Sequence, residues 1–233
     1  GAPLQARATA QPPTQVPVDA PPGAIVAVGF EYNTPDLFSP NLIPFQQSLF
    51  DHHHDVPLDG AMKDEWGFPP IYQRGPRQGD FYYSTAFDQA WRRAGGTGSL
   101  LAAAVLIYTG AGGSPQARSA AVDLFQRLVL ARNVEIESHF FRAAKQAFGA
   151  NAFTGTHATW GIMPTGDAFK NGYDWWQAPR DFGQTDEDFP LPIRTALARK
   201  WGGSVWINQY YNAQPEAYAP ELWRAARLGG RLN

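Results

Sequence analysis

Three acidic side chains have the type and setting that acid–base chemistry needs. Glu65 follows a short apolar segment in the run Lys63-Asp64-Glu65-Trp66-Gly67, where burial among aromatic side chains would favour the protonated form of its carboxyl group. A reaction that uses both an acid and a base requires a second carboxyl group, and Glu187 and Asp174 are the candidates. The sequence therefore predicts a catalytic set of Glu65, Glu187 and Asp174.

Each of these acids also has an ordinary structural interpretation. Glu65 could cap a helix or form an ion pair with Lys63. Acids that stand just ahead of a helix commonly cap it, and Asp186 stands ahead of a predicted helix. Glu135 and Glu137 fall near the middle of a long predicted helix and are expected to be solvated or paired, not catalytic.

Several polar and aromatic residues near the predicted strands could hold a substrate. A histidine there can donate a hydrogen bond to a hydroxyl group or to a carboxylate, and the planar guanidinium group of an arginine can bind oxygen atoms. Aromatic residues make up 14% of the chain, and their faces suit sugar rings as well as an ordinary core. The predicted substrate-binding residues are Asp64, His157, Trp160, Trp175, Arg180, Asp186, Asn208 and Tyr210.

The run Asp51-His52-His53-His54-Asp55 contains the residue types of a zinc site. Zinc ligands must converge, however, and adjacent residues on a helix point to different sides. We therefore interpret the run as a polar helix end, where histidines are favourable near the negative end of the helix dipole. No metal and no other cofactor is predicted.

Short apolar segments alternate with amphipathic segments along the chain, a pattern typical of a parallel sheet wrapped by helices. Ser114-Pro115 is the strongest helix start, because serine suits the N-cap and proline the first helical position. Residues 100–108 are apolar and fit either a helix or a strand. The predicted strands are 24–30, 58–62, 152–157, 172–176 and 204–208, and the predicted helices are 41–50, 84–93, 115–148, 191–201 and 216–228.

Polar or aromatic residues stand at the C-terminal ends of four predicted strands. The active sites of (β/α)8 barrels lie at that end, and no glycine-rich phosphate loop follows a strand to favour a nucleotide-binding fold. We therefore predict an α/β fold of the (β/α)8 TIM-barrel type. The five predicted strands are fewer than the eight that a complete barrel requires, so the barrel is expected to be incomplete or part of a longer chain. The strand-end residues are Glu65, His157, Trp175 and Asn208.

Several motifs follow the order in which a large barrel presents its third to seventh strands. They are residues 58–68, Phe81-Tyr82-Tyr83-Ser84, Gly155-Thr156-His157-Ala158-Thr159-Trp160, Asn171-Gly172-Tyr173-Asp174-Trp175-Trp176, Gln184-Thr185-Asp186-Glu187 and Trp206-Ile207-Asn208-Gln209-Tyr210-Tyr211. In these motifs residues 24–233 resemble the large (β/α)8-barrel glycosidases, loosely the β-galactosidase-like and rhamnosidase-like groups. The resemblance implies a carbohydrate substrate and paired catalytic carboxylates. Residues 1–23 are polar and rich in proline, which predicts an extended arm outside the barrel portion.

The resemblance is incomplete at the catalytic positions. The large retaining glycosidases typically carry Asn-Glu after the fourth strand and a second glutamate after the seventh. Here the first motif reads Asp64-Glu65, and the strand that ends in Trp206-Ile207-Asn208 has no carboxylate. The partner of Glu65 is therefore open between Glu187, Asp174 and Asp186.

Composition excludes several classes of function. The net charge is −2 and no basic cluster is longer than Arg92-Arg93, so a nucleic-acid partner is not expected. No apolar stretch is long enough to span a membrane, no signal segment is visible, and the absence of cysteine excludes thiolate chemistry. We expect a glycoside hydrolase acting on an oligo- or polysaccharide, in a compartment that the sequence leaves open. A non-catalytic carbohydrate-binding barrel and a metal-dependent hydrolase are the alternatives, and a homo-oligomer or the rest of a longer chain could complete the fold.

Overall fold

The structure is a computed structural model that describes residues 22–23, 35–63 and 82–157. Elsewhere it describes the backbone of short strand segments and individual helical residues within the predicted helices 191–201 and 216–228. The predicted arm lies outside the described residues except for Pro22 and Gly23. The predicted strands at 24–30 and 172–176 lie outside them altogether.

Three of the four helices that the structure describes in full begin at a serine cap. At three helix starts a serine hydroxyl accepts a hydrogen bond from the backbone N–H three residues on, at 3.0–3.1 Å, which satisfies an amide that the helix itself leaves unpaired. The ambiguous segment 100–108 is a helix, and the other predicted helices in this part of the chain are confirmed. The described helices are α1 (Leu42–His53), α2 (Thr85–Arg93), α3 (Leu100–Thr109) and α4 (Pro115–Phe148).

The strand segments pair mainly in parallel. They are β1 (Gly60–Lys63), β2 (Trp66–Gly67), β3 (Phe153–His157), β4 (Thr159–Ile162), β5 (Ala168–Asn171), β6 (Phe182–Thr185), β7 (Ser204–Ile207) and β8 (Arg231–Leu232). Five of them form a sheet in the order β1-β3-β6-β7-β8, with every neighbouring pair parallel. In the smaller sheet β2 pairs with β4 in parallel, and β4 with β5 antiparallel. Parallel pairing, as the alternation predicted, is confirmed for β1, β3 and β7.

The predicted (β/α)8 barrel is wrong. In the described part of the chain the larger sheet is an open row with β1 at one edge and β8 at the other, so it does not close on itself. In the sequence, three helices, α2, α3 and α4, separate the neighbouring strands β1 and β3. Most residues whose side chains the structure describes are helical. Alternating apolar segments favour parallel pairing, but closure depends on the number and stagger of strands, which the hydrophobic pattern does not encode.

Helix α4 is the element against which the described helices and strands assemble. Near its start, Phe125 packs with Phe87 of α2 and Ile107 of α3 in one apolar cluster. Toward its end, Phe140 packs with Phe50 of α1 in a second cluster that also contacts β1. Burying each of these side chains stabilises the fold by roughly 1.5–3 kcal/mol. These contacts hold α4 firmly beside the first strand of the sheet.

The register of β1 decides which of its side chains face α4. Ala61 packs against the cluster that contains Phe140, and Lys63, two residues on, reaches Glu137. Later residues of β1 therefore contact positions closer to the N-terminus of α4, so the helix and the strand run in opposite directions. Thr154, which pairs with Ala61 across the ladder, is also buried.

Candidate functional site

The C-terminal edge of the larger sheet is the candidate functional site. β1, β3, β6 and β7 are mutually parallel neighbours, so their C-terminal ends lie along one edge. Ligands of open parallel sheets bind outside the carboxyl ends of the strands, in the crevice where the strand order reverses. The order β1-β3-β6-β7-β8 follows the sequence without such a reversal, so the polar residues that follow the strand ends are what make this edge a candidate. The residues that follow these strand ends in sequence include Asp64 and Glu65 after β1, Asp186 and Glu187 after β6, and Asn208 after β7.

Most of the predicted site residues lie outside the described residues. His157 and Trp160 are described through their backbone alone: His157 is the last residue of β3 and pairs with Gln184 of β6, and Trp160 pairs with Gly67. Whether the predicted side chains share one pocket therefore stays a prediction. Those outside the described part of the chain are Asp64, Glu65, Asp174, Trp175, Arg180, Asp186, Glu187, Asn208 and Tyr210.

Two ladders on either side of the acidic motif keep one register. Lys63 at the end of β1 pairs with Thr156, and Trp66 at the start of β2 pairs with Thr159. Three positions separate Lys63 from Trp66, and three separate Thr156 from Thr159. Neither of the two chain segments therefore carries an extra residue between the ladders. Asp64 and Glu65 are thus the residues that join two segments of matched register in the sequence.

The sequence interpretation missed a buried ion pair at this edge. Glu137, near the middle of α4, is 2% exposed, and its Oε1 lies 2.6 Å from Nζ of Lys63. The ammonium group of Lys63 also lies 5.3 Å from the centroid of the Phe140 ring, within range of a cation–π attraction. Both acids of α4 are paired, one of the two predicted outcomes, although Glu135, which pairs with Arg132, is exposed and Glu137 is buried.

A second buried polar residue lies one helical turn before Glu137. Asn133 is 2% exposed, and its Oδ1 has no hydrogen-bond partner among the described residues. Such an unsatisfied buried oxygen costs about 1–3 kcal/mol. Asn133 and Glu137 share a helix stripe with the buried Phe140, at the spacing of an apolar face. Two polar residues at those positions are the sequence signal that could have identified the pair.

The histidine run lies at the end of α1, as predicted. The helix ends at His53, and His54 occupies the C-cap position. Nδ1 of His53 donates to the carbonyl oxygen of Leu49 at 2.7 Å, and Nδ1 of His54 donates to that of Asp51 at 2.6 Å. Within the ranges that the structure describes, no group of three or more potential metal ligands comes together.

Two groups with shifted pKa values make contacts between segments that are distant in the sequence. The Tyr82 hydroxyl donates to Oδ1 of Asp36 at 2.5 Å, and burial, followed by that hydrogen bond, raises the pKa of Tyr82 well above its usual value. The ring nitrogens of His139 on α4 lie 2.6 Å and 3.1 Å from the amide oxygens of Gln46 and Gln47 on α1. Burial lowers the pKa of His139 below its usual value, assisted by the charge of Arg142.

In the described part of the chain, no helix combines the length and the apolar character that crossing a membrane would need. Neither a protein-family model, nor a curated protein, nor a solved structure matches this chain.

Proposed function

We propose that this chain is a glycoside hydrolase in which Glu65 is a catalytic carboxyl group at the C-terminal edge of the parallel sheet. The observation that carries the proposal is the parallel order of β1, β3, β6 and β7, because it directs their C-terminal ends to one edge. Acidic residues follow two of those ends in sequence. Two carboxyl groups near one substrate are what glycoside hydrolysis requires.

The spacing of the strands supports Glu187 as the second carboxyl group. β1 and β6 both pair with β3, so two inter-strand steps separate them, or about 10 Å. Retaining and inverting hydrolysis use carboxyl groups about 5 to 9.5 Å apart, a separation that two long side chains on such strands can reach. Glu187 follows the end of β6 by two residues, whereas Asp174 precedes β6 in the sequence and is the weaker candidate.

The remaining predicted residues would bind the carbohydrate. His157 ends β3, the strand between β1 and β6, from which an imidazole could donate to a sugar hydroxyl group or to a catalytic carboxylate. Aromatic rings suit the apolar faces of sugars, and amide and guanidinium groups suit their hydroxyl groups. The proposed binding residues are Asp64, His157, Trp160, Trp175, Arg180, Asp186, Asn208 and Tyr210.

Turnover of a panel of aryl glycosides tests the proposal. Glu65→Gln should abolish turnover and leave sugar binding intact, because the amide keeps the shape of the side chain but cannot transfer a proton. Glu216→Gln is the matched control, since Glu216 is an exposed helical residue. Comparing Glu187→Gln with Asp174→Asn identifies the second carboxyl group.

Three outcomes would redirect the proposal. Retention of most activity by Glu65→Gln removes this residue from the mechanism. Turnover that a chelator abolishes favours a metal-dependent hydrolase, with residues 51–55 as the first segment to test. Sugar binding by the unmodified protein without turnover of any glycoside favours a non-catalytic binding module.

A further inference from the structure

One face of the predicted helix 216–228 is exposed and largely apolar. At 3.6 residues per turn, the residues that the structure describes in this helix all fall within about 120° of its circumference, so they form a single face. All of them are helical and exposed, and we call them the Trp223 face: Glu216, Ala219, Pro220, Trp223, Ala226 and Arg227.

Trp223 is the centre of this face, and its neighbours on the helix leave its ring uncovered. Its side chain is 67% exposed, more than any other large hydrophobic side chain of the described residues. The positions three and four residues away hold Ala219, Pro220, Ala226 and Arg227. Three of these four side chains are short and apolar, so the ring stands open beside further apolar surface. Contiguous exposed apolar surface marks an interaction site more often than a single exposed residue does.

The charges at the two ends of the Trp223 face indicate which partner fits it. Glu216 and Arg227 lie about 16 Å apart along the helix axis, with the apolar residues between them. If two copies pair antiparallel about a twofold axis, Glu216 of each copy meets Arg227 of the other, and Trp223 of each copy meets Pro220 of the other. A parallel pair would place glutamate against glutamate and arginine against arginine. The face is therefore complementary to itself in the antiparallel orientation.

We propose that the Trp223 face is the interface of a homodimer in which the two helices pair antiparallel. Stable interfaces use about 20–30 residues a side, many more than the described residues of this face. The dimer is therefore expected to form reversibly and to dissociate on dilution. No residue of the Trp223 face is among the proposed catalytic or carbohydrate-binding residues, so the inference does not rest on the proposed function.

Sedimentation velocity of the whole chain, over a range of protein concentrations, measures this association. The unmodified protein should change from the monomer mass to the dimer mass as its concentration rises. Trp223→Ala should weaken the dimer about tenfold or more, because a tryptophan at the centre of an interface carries much of the binding free energy. Phe45→Ala is the matched control, since Phe45 is an aromatic residue of α1 that is 59% exposed, and it should leave the association unchanged.

Charge reversal tests the antiparallel orientation. Glu216→Arg gives each copy two positive ends, and Arg227→Glu gives each copy two negative ends, so either variant alone should dimerise about tenfold more weakly. An equimolar mixture of the two variants should associate again, because every positive end then meets a negative end. The double variant Glu216→Arg/Arg227→Glu should dimerise as the unmodified protein does. Recovery in the mixture cannot come from damage to the fold of either variant.

The outcomes divide clearly between support and contradiction. A protein that stays monomeric at every concentration, or a dimer that Trp223→Ala leaves intact, overturns the inference. A mixture of the two charge variants that does not associate overturns the antiparallel pairing. If Trp223→Ala does not fold, as judged by circular dichroism, the mixture of charge variants decides the question. Loss of polysaccharide binding by Trp223→Ala, in a protein that is always monomeric, would assign the ring to a sugar and overturn the dimer.

Discussion

The Nζ atom of Lys63, at the end of β1, lies 2.6 Å from Oε1 of Glu137, which is 2% exposed near the middle of α4. The pair occupies an interface in which Ala61 and Phe140 make the neighbouring apolar contacts. Burying two charges costs several kcal/mol of desolvation free energy, which their attraction does not always recover. Replacing a buried ion pair with an apolar pair is often neutral or stabilising, so the Lys63–Glu137 contact is by itself weak evidence for a stabilising role.

A double-mutant cycle should expose that cost. Glu137→Leu alone, or Lys63→Met alone, should reduce the free energy of unfolding by about 2–3 kcal/mol. This loss is smaller than is usual when one partner of a fully buried ion pair is removed, because Lys63 is partly exposed. The double variant should recover to within about 1 kcal/mol of the original protein. Urea denaturation measures both. Removing the exposed pair Asp123–Arg127 is the control, and should cost less than about 1 kcal/mol; singles and double that lose stability additively would contradict the prediction.

Asn133 should be replaceable by an apolar residue at a gain in stability. Its Oδ1 is buried without a hydrogen-bond partner among the described residues, so Asn133→Leu should raise the free energy of unfolding by about 1 kcal/mol. The same change at Asn151, which is exposed, is the control and should have little effect. Thermal unfolding measures the difference. A clear loss of stability in Asn133→Leu would contradict the prediction.

His139 should make the protein less stable in mild acid. Burial and the charge of Arg142 lower its pKa in the folded protein below 6.5, and Glu135 opposes them. Below about pH 6.5 the unfolded chain therefore binds more protons at this position than the folded protein, so the stabilising contribution is complete above that pH and declines as the pH falls through the folded pKa. His139→Gln should reduce this loss.

Urea denaturation at about pH 7.5 and about pH 5.5 gives the two free energies of unfolding that test His139. His52→Gln is the control, because His52 is exposed at the end of α1. An equal loss of stability on acidification in His139→Gln and in the original protein would assign the effect to other groups.

Gly60 should not tolerate a side chain. A Cβ atom there would meet the backbone of Phe153 across the parallel ladder, and backbone atoms cannot rotate away. Gly60→Ala should therefore reduce the free energy of unfolding by about 1–3 kcal/mol or more. At Gly113 a Cβ atom would meet the methyl end of Leu106, a flexible side chain, so Gly113→Ala is the control. Equal effects of the two changes on the urea midpoint would show that the β1–β3 contact is not the constraint.

The local elements could be predicted from sequence because their causes are local. Ser114 and Pro115 specify the start of α4 through one hydroxyl group and one fixed backbone angle. Apolar runs of strand length placed β1, β3 and β7 close to where they occur. The acidic motif at Glu65 was identified in the same way, from residue type and its place after a strand, and its chemical role stays a prediction.

By itself, then, the sequence determined the serine-capped starts of α2 and α4 and the parallel sense in which β1, β3 and β7 pair. Only the tertiary structure decided that the strands form an open row in the order β1-β3-β6-β7-β8, because closure depends on strand number and stagger over the whole sheet. It likewise decided that Glu137 is buried and Glu135 exposed. Two glutamates on one helix differ only in which neighbours cover them, and the neighbour that covers Glu137, Lys63, is distant in the sequence.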